Sequence, residues 1–372
     1  MDNLTHSLVG LTAARAGLEK LSPGATLLCV LAANSPDSDV IVGAFGDRWD
    51  FLEHHRGITH AVIGVIALSI ALPLIFYAVD RVWSRFREQA PSVNLKGLML
   101  ASFIVSATHP LLDWTNNYGI RFWLPWSRTW SYGDFVFIVD PYIWLILGGA
   151  AFLLGARTRI LKFLWGGVAV LTTLLIVASP RGSSLPNRNV FAVFWVVALI
   201  VLIVLYMKGA RERWGRKIAF VAIALVFCYW GLLAVAHSRA VTRGSEHAAR
   251  LASANGESVV RLAAMPTVAN PFNWDCVFET DRANYRFNLS LLRDAQPGNA
   301  VRYVKTPELE EILKKQKPGR VFLGFARFPV MELDDPKCTT RTLVHLADLR
   351  YTEPRRSRGT FSVSIPIDCP TQ

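Results

Sequence analysis

Histidine and aspartate residues that could together bind a metal ion recur in four short stretches of the first 113 residues. In chain order these residues are His6, Asp37, Asp39, His55, His60, His109 and Asp113. His109 and Asp113 are four residues apart, a spacing that places both on one helix face with Cβ atoms about 6 Å apart. An imidazole and a carboxylate so placed can reach one ion. Mixed His and Asp ligation is typical of zinc or manganese, and Cys29 is the one cysteine in this region, which argues against a thiolate site.

The remaining spacings fit the same chemistry. His55 and His60 flank Gly57, and a glycine turn can direct two imidazoles inward. Asp37 and Asp39 alternate on an extended loop, so one could bind metal while the other orients a histidine, bridges two ions or acts as a general base. We therefore predict the metal ligands His6, Asp37, His55, His60, His109 and Asp113. The predicted catalytic residues are Asp37, Asp39 and Arg56, with the Arg56 guanidinium binding a phosphate group.

Simpler interpretations exist for each feature. An Asp-Ser-Asp loop often caps a helix, and Asp113 could pair with Arg121 instead of a metal. Arg56 could form a salt bridge with Asp37 or Glu53. Ionisable residues near a membrane are energetically costly and are functional candidates by default. The number of such groups that converge favours the metal site over these alternatives.

The composition indicates the class of protein in which these residues lie. Of the 372 residues, 52% are hydrophobic and only 18% are charged, whereas a soluble domain averages about 25% charged residues. This excludes a disordered chain and disfavours an ordinary cytosolic enzyme. Five cysteines are too few for a disulfide-dense scaffold. The chain reads as part membrane protein and part soluble domain.

Six segments are apolar and long enough to cross about 30 Å of hydrocarbon. They are Thr59–Val79, Gly97–Leu112, Phe135–Gly155, Ile160–Ala178, Val190–Met207 and Ile218–His237. The first 34 residues form two helical pieces, neither long enough to span alone, and we expect a helical hairpin there. The first residues are acidic rather than basic, which argues against a signal peptide.

Lysine and arginine are unevenly distributed among the connections between these segments. Three alternate connections, at 80–96, 156–162 and 208–217, carry twelve of them, and the other two, at 115–134 and 179–189, carry four. The richer set is expected on the cytoplasmic side. The predicted metal ligands and the C-terminal domain then face the outside, the periplasm of a bacterium. The net charge of +12 is explained by this orientation, so we expect no nucleic-acid partner.

At these residues the sequence resembles a known family. The stretches that carry the resemblance are Met1–Gly10, Pro36–Asp39, His55–His60 and His109–Asp113. Together they resemble the YdjM-type membrane-bound metal-dependent hydrolases, also called LexA-binding, inner-membrane-associated hydrolases, over about residues 1–180. The resemblance implies a hydrolase distantly similar to zinc-dependent phospholipase C and P1 nuclease, in which His and Asp hold clustered zinc ions. Ala61 stands where members often have serine, which removes a hydrogen bond rather than a ligand.

The C-terminal part differs in pattern. A helical, alanine-rich stalk is predicted over Arg239–Arg261, and a short amphipathic helix over Pro307–Lys317. The predicted strands are Trp274–Glu279, Tyr285–Leu291, Val321–Phe325, Leu343–Leu346 and Phe361–Ile367. His345 has no metal-binding companion in the sequence. Three cysteines, Cys276, Cys338 and Cys369, could provide one disulfide whose pairing the spacing does not determine.

We therefore expect a mainly α membrane bundle of about six transmembrane helices plus an N-terminal hairpin, at 1–237, and a small C-terminal α+β domain outside the membrane, at 238–372. The predicted function is a zinc-dependent, or manganese-dependent, hydrolase of the bacterial inner membrane. Its expected partners are the lipid bilayer and a phosphoester or lipid-like substrate. The alternative is a non-enzymatic membrane protein, either a transporter or a LexA-associated stress-response scaffold, with a structural metal site.

Overall fold

The protein is described here from a computed structural model that covers residues 1–177, 188–292, 298–335, 341–355 and 361–368. The chain divides into two compact units, each discontinuous in sequence. The first contains Met1–Ser38, Arg56–Leu233 and Thr267–Asn270, and the second contains Asp39–His55, Ala234–Pro266 and Pro271–Gln372.

The described residues are mainly helical. The helices are α1 Asn3–Ala16, α2 Ala25–Asn34, α3 Val40–Phe45, α4 Arg48–His54, α5 Val62–Phe86, α6 Leu95–Trp114, α7 Pro141–Gly155, α8 Arg159–Val177, α9 Arg188–Met207, α10 Ala210–Trp214, α11 Lys217–Ala254, α12 Pro307–Lys314 and α13 Lys317–Phe325. The strands are β1 Val259–Thr267, β2 Asn270–Thr280, β3 Ala283–Ser290, β4 Val301–Val304, β5 Pro329–Leu333, β6 Arg341–Asp348 and β7 Ser362–Asp368. They form two sheets, of order β1-β2-β3-β4 and β5-β6-β7. The pairs β2–β3, β3–β4, β5–β6 and β6–β7 are antiparallel.

Among the described residues, five segments are long and apolar enough to cross a membrane. They are Ala25–Phe45, Val62–Phe86, Leu95–Trp114, Asn189–Met207 and Lys217–Ala254. The predicted membrane bundle with a C-terminal sheet domain is thus confirmed, but the count of six spans is not. The predicted span Phe135–Gly155 contains a helix of only 15 residues, because Pro141 lies in its first turn and Asp140 caps it by accepting from the amides of Tyr142 and Ile143. At the N-terminus, α2 and the residues after it form the additional candidate span.

Helices α1 and α2 pack against each other as an antiparallel pair and also contact α6. Their shared core consists largely of alanines, which let two helix backbones approach closely, as small residues do in membrane bundles. The closest approach is at Gly10, where a Cβ atom would lie 2.5 Å from the carbonyl oxygen of Cys29. Gly10 follows His6 by one helical turn on the buried face of α1. This contact therefore determines how deeply His6 reaches into the first unit.

We predict that Gly10→Ala destabilises the first unit by about 1–3 kcal/mol, the usual effect of overpacking a tight contact. The added methyl group would meet backbone atoms of α2, which cannot rotate away. Gly167→Ala on α8 is the matched control, because a Cβ atom there has no neighbour within 4 Å. Thermal unfolding of both variants in detergent tests the prediction. Equal melting temperatures for the two would show that α1 and α2 are not held at the distance described.

The second unit corrects three predictions. Val321–Phe325 is not a strand but the end of α13, in which Val321, Phe322 and Phe325 are buried at helical spacing. The helix predicted over Arg239–Arg261 is confirmed as far as Ala254, as the C-terminal part of the 38-residue α11, but the prediction of its end is wrong because Arg261 lies in β1. His345 is not isolated, because its ring nitrogens lie 2.8 Å from Ser364 Oγ and 3.4 Å from Asp334 Oδ1.

Other parts of the second unit follow the sequence more closely. The helix predicted at Pro307–Lys317 is confirmed as α12, which ends at Lys314. The predicted strands at Trp274–Glu279 and Tyr285–Leu291 correspond to β2 and β3, and the last two predicted strands correspond to β6 and β7. Cys276 is a buried free thiol. Cys338 and Cys369 lie outside the described residues, so the disulfide stays a prediction.

Candidate metal site

Four of the predicted ligands form one compact group in the first unit. They are Asp37, His60, His109 and Asp113, and one potential ligand atom of each lies within 4.8 Å of all the others. Donor atoms that share a zinc ion at about 2.0–2.2 Å can be no more than roughly 4 Å apart, so a small inward movement would bring all four to one ion. The group can therefore hold a metal ion.

Three different local structures bring these side chains together. His109 and Asp113 both lie in the last turns of α6. His60 ends a short 3₁₀ helix immediately before α5, and Asp37 lies in a second 3₁₀ helix that follows α2. Because each segment lies at a helix end, the four side chains meet at one end of the helical packing. His109 and Asp113 are in contact there, with Nε2 3.4 Å from Oδ2, as the four-residue spacing predicts.

The hydrogen bonds of the two histidines leave suitable nitrogens facing the group. His109 Nδ1 lies 2.6 Å from the carbonyl oxygen of Ala33, so Nδ1 carries the proton and donates it, and Nε2 keeps its lone pair. His60 Nδ1 lies 3.1 Å from the hydroxyl of Thr59. The two Nε2 atoms are 3.1 Å apart, and His60 Nε2 is also 3.3 Å from Asp37 Oδ1. Nitrogen lone pairs and carboxylates that converge in this way are stabilised by a cation between them.

His6 adds a further potential ligand beside the group of four. Its ring is fully buried and stacks on His109, with centroids 3.8 Å apart and planes inclined by 14°. Its Nε2 is 3.4 Å from Asp113 Oδ1, a carboxylate that the amino group of Met1 also contacts. Apart from this long contact to Asp113, neither ring nitrogen of His6 has a hydrogen-bond partner among the described residues. Burying such a group without a partner costs about 1–3 kcal/mol, which a bound ion would offset.

Arg56 contacts the Oδ1 oxygen of Asp113, whereas His60 and His109 lie beside the Oδ2 oxygen. Its Nη2 donates to Asp113 Oδ1 at 3.0 Å, and its Nη1 lies 3.1–3.2 Å from oxygens of Asp113, Asn116 and Gly119. The guanidinium also lies 4.5 Å from the centre of the Tyr118 ring. The backbone at Arg56 has φ +53°, a left-handed conformation that few non-glycine residues adopt. This backbone conformation is strained, and the buried contacts of the Arg56 side chain stabilise it.

His55 and Asp39, predicted as a ligand and a catalytic residue, belong to the second unit and are not in the group of four. Their side chains contact each other, with Nδ1 3.2 Å from Oδ1, and the His55 ring stacks on Phe51. Their roles in metal binding or catalysis stay predictions. The sequence did not reveal the contact of His109 with Ala33, which contributes a backbone carbonyl, or the contact of Arg56 with Asn116. One alternative paired Asp113 with Arg121, but in the structure Asp113 pairs with Arg56.

Comparison with known proteins finds a family match over the part of the chain that contains the group. Residues 1–240 match the sequence model of the YdjM inner membrane protein family. The chain is also similar to the uncharacterized protein YfhP of Bacillus subtilis (strain 168), with 26% identity over 155 residues, which is 39% of this chain and 43% of YfhP. It therefore spans less than half the length of that relative. No solved structure matches significantly. These matches do not extend to phospholipase C or P1 nuclease, so that distant similarity stays a prediction.

Proposed function

The chain belongs to the YdjM inner membrane protein family, and from this membership and the geometry of the site we propose that it is a membrane-bound, metal-dependent hydrolase. The observation that carries the proposal is the convergence of two imidazoles and two carboxylates within 4.8 Å. We further propose zinc as the metal, with manganese as the alternative, since both accept mixed nitrogen and oxygen ligands. The proposed substrate is a phosphoester with a lipid-like part.

Each residue of the site has a different role in the proposed hydrolysis. A divalent ion bound there would supply positive charge to an oxygen of the phosphoester and would make a water molecule easier to deprotonate near neutral pH. His60 and His109 would hold it through nitrogen, and the two carboxylates would balance its charge. The Asp37 side chain is 17% exposed, whereas Asp113 is 1% exposed. Asp37 is thus the carboxylate that water reaches, and we propose it as the general base.

Arg56 has a different role in this proposal from the one the sequence suggested. Both of its terminal nitrogens donate to oxygens of the protein, including the carboxylate of Asp113. Arg56 is only 3% exposed, so a phosphate could reach the guanidinium only by opening this buried network. We therefore propose that Arg56 positions Asp113 and offsets part of its charge, rather than binding the substrate directly.

The proposed site faces the periplasm. The excess of lysine and arginine in alternate connections supports this orientation. Reporter fusions after Arg87 and Lys208 should read as cytoplasmic, and a fusion after Leu262 should read as external. Paired alkaline phosphatase and fluorescent protein reporters measure the two sides independently. A cytoplasmic signal at Leu262 would place the C-terminal unit inside the cell and would favour a cytoplasmic partner such as LexA.

A structural metal site in a non-enzymatic membrane protein is the second candidate function. Structural zinc sites are closed by four protein ligands, and this group also has four, three of them buried. The two functions differ in the effect of a chelator. Removing metal from a hydrolase should abolish the turnover of a phosphodiester probe, which re-added metal should restore. With a purely structural ion, the chelator should only lower the melting temperature, and the holoprotein should hydrolyse no phosphodiester probe.

A further inference from the structure

A cavity in the first unit lies among α1, α7, α8 and α9 and has a volume of about 350 Å³. This is within the range of small-molecule sites, which is about 300–1,000 Å³. Almost all of its lining is aliphatic or aromatic, and the described lining contains no Asp, Glu or His. Gly148, Gly149 and Gly166 line the cavity, and a Cβ atom at Gly166 would have no neighbour within 4 Å. We call this cavity the α8 groove.

Both hydroxyl groups in the described lining of the α8 groove are already hydrogen-bonded within the protein. The hydroxyl of Thr172 donates to the carbonyl oxygen of Val168 at 2.8 Å. The hydroxyl of Tyr206 donates to the carbonyl oxygen of Ala156 at 2.9 Å. A bound molecule would therefore meet a surface of hydrocarbon and aromatic carbon along most of the groove. Such a surface suits a hydrocarbon chain and penalises a polar solute.

The described lining also contains one charged side chain, Lys162, near the start of α8. Its ammonium lies 5.3 Å from the centre of the Tyr206 ring. Within the described parts of the chain, it forms no ion pair with a carboxylate. Arg157 and Arg159 precede it in the connection between α7 and α8, so positive charge collects at this end of the groove. The arrangement combines an apolar channel with a cationic end.

We propose that the α8 groove binds an anionic phospholipid of the bilayer, with an acyl chain in the apolar channel and the phosphate at Lys162. The bilayer is the source of the occupant because α9 is a candidate membrane span and its outer residues are exposed and apolar. Apolar burial gives little preference for one acyl chain over another inside a membrane, so selectivity must come from the shape of the channel and the charge of Lys162. The site uses none of the four potential metal ligands and does not depend on the proposed hydrolysis.

Photo-crosslinking tests this proposal with the full chain in lipid nanodiscs. The probe is phosphatidylglycerol with a diazirine on one acyl chain, and the same chain on phosphatidylcholine is the comparison. We expect adducts on peptides from α8 and α9, and more with phosphatidylglycerol than with phosphatidylcholine. Gly166→Leu should remove most of these adducts because the new side chain fills the channel. Gly167→Leu is the matched control, since residue 167 has equal space around it but does not line the groove.

A charge variant tests the other half of the proposal. Lys162→Gln should lower labelling by phosphatidylglycerol about fivefold, the effect expected for one basic side chain at an anionic lipid, and leave labelling by phosphatidylcholine unchanged. Size-exclusion profiles and melting temperatures show whether each variant is folded. Equal labelling of the Gly166→Leu and Gly167→Leu proteins would overturn the groove as the binding site. Equal labelling by both lipids in the parent would show ordinary contact with surrounding lipid and would overturn the anionic site.

Discussion

Replacing Asp113 by Asn should lower hydrolysis of a phosphodiester by more than about 100-fold, the upper range even for outer-shell partners of a metal. The substitution keeps the shape of the side chain and removes the charge that balances a dication. Asp113 is in contact with His60 and His109 and is held by Arg56, so the loss affects every group at the centre of the site. His109→Ala should have a similar effect because it deletes a nitrogen ligand. The measurement is turnover of bis-p-nitrophenyl phosphate by detergent-purified protein with zinc or manganese added.

Two controls separate this effect from general damage. Asp80→Asn and His345→Ala change the same residue types away from the group of four, and both should keep the activity of the parent. Membrane insertion of all four variants should be equal, because none of these side chains drives insertion. If the Asp113 and His109 variants kept parental turnover, the pair would be a structural feature of α6. The hydrolase proposal would then have to rest on other residues or be given up.

Arg56→Ala should destabilise the first unit by about 3–5 kcal/mol, the usual result of removing one partner from a buried ion pair. The change removes the guanidinium from the buried Asp113 carboxylate and deprives the oxygens of Asn116 and Gly119 of a donor. Arg56→Gly should be less damaging than Arg56→Ala, since glycine adopts the positive φ at this position without strain. Unfolding in mixed detergent micelles, followed by tryptophan fluorescence, gives the comparison. Addition of zinc should recover part of the lost stability by restoring positive charge beside Asp113.

Arg56→Lys distinguishes the positioning role from phosphate binding. Lysine keeps the charge but cannot make the forked contacts of a guanidinium, so a positioning residue should show a loss of both stability and metal affinity. A phosphate-binding residue should instead show a raised KM or lowered kcat with stability and metal content unchanged. The second pattern would contradict the role proposed here and would support the role suggested by the sequence.

Much of the candidate site could be predicted from the sequence because its signals are local or chemically rare. The spacing of His109 and Asp113 requires only that their segment be helical, and their contact follows from it. Asp37 and His60 were recognisable as scarce polar residues next to apolar segments. The pairing of Arg56 with Asp113 was not predictable, because 57 residues separate them and Glu53 and Asp37 were equally plausible partners on charge alone.

The misassigned elements show where local patterns are ambiguous. Val321–Phe325 is a short apolar run, and runs of that length cannot be assigned to strand or helix by periodicity alone. The run is helical as part of α13, which begins just before Pro318 and Gly319. The start of this helix packs closely on the preceding chain, because a Cβ atom at Gly319 would lie 2.2 Å from the carbonyl oxygen of Leu313. The continuity of α11 beyond His237 was hidden by the change from apolar to mixed composition. The apolar part of the sequence ends at His237, whereas the helix continues to Ala254.

The metal content of the purified protein tests the central claim most directly. The measurement is elemental analysis of the parent after zinc supplementation and gel filtration, beside a variant with both His60→Ala and His109→Ala. The account predicts at least about one tightly held ion per parental chain and almost none in the double variant, since both nitrogen ligands are gone. The His345→Ala control should match the parent. A parent that retains no metal, or a double variant that retains as much as the parent, would contradict the account.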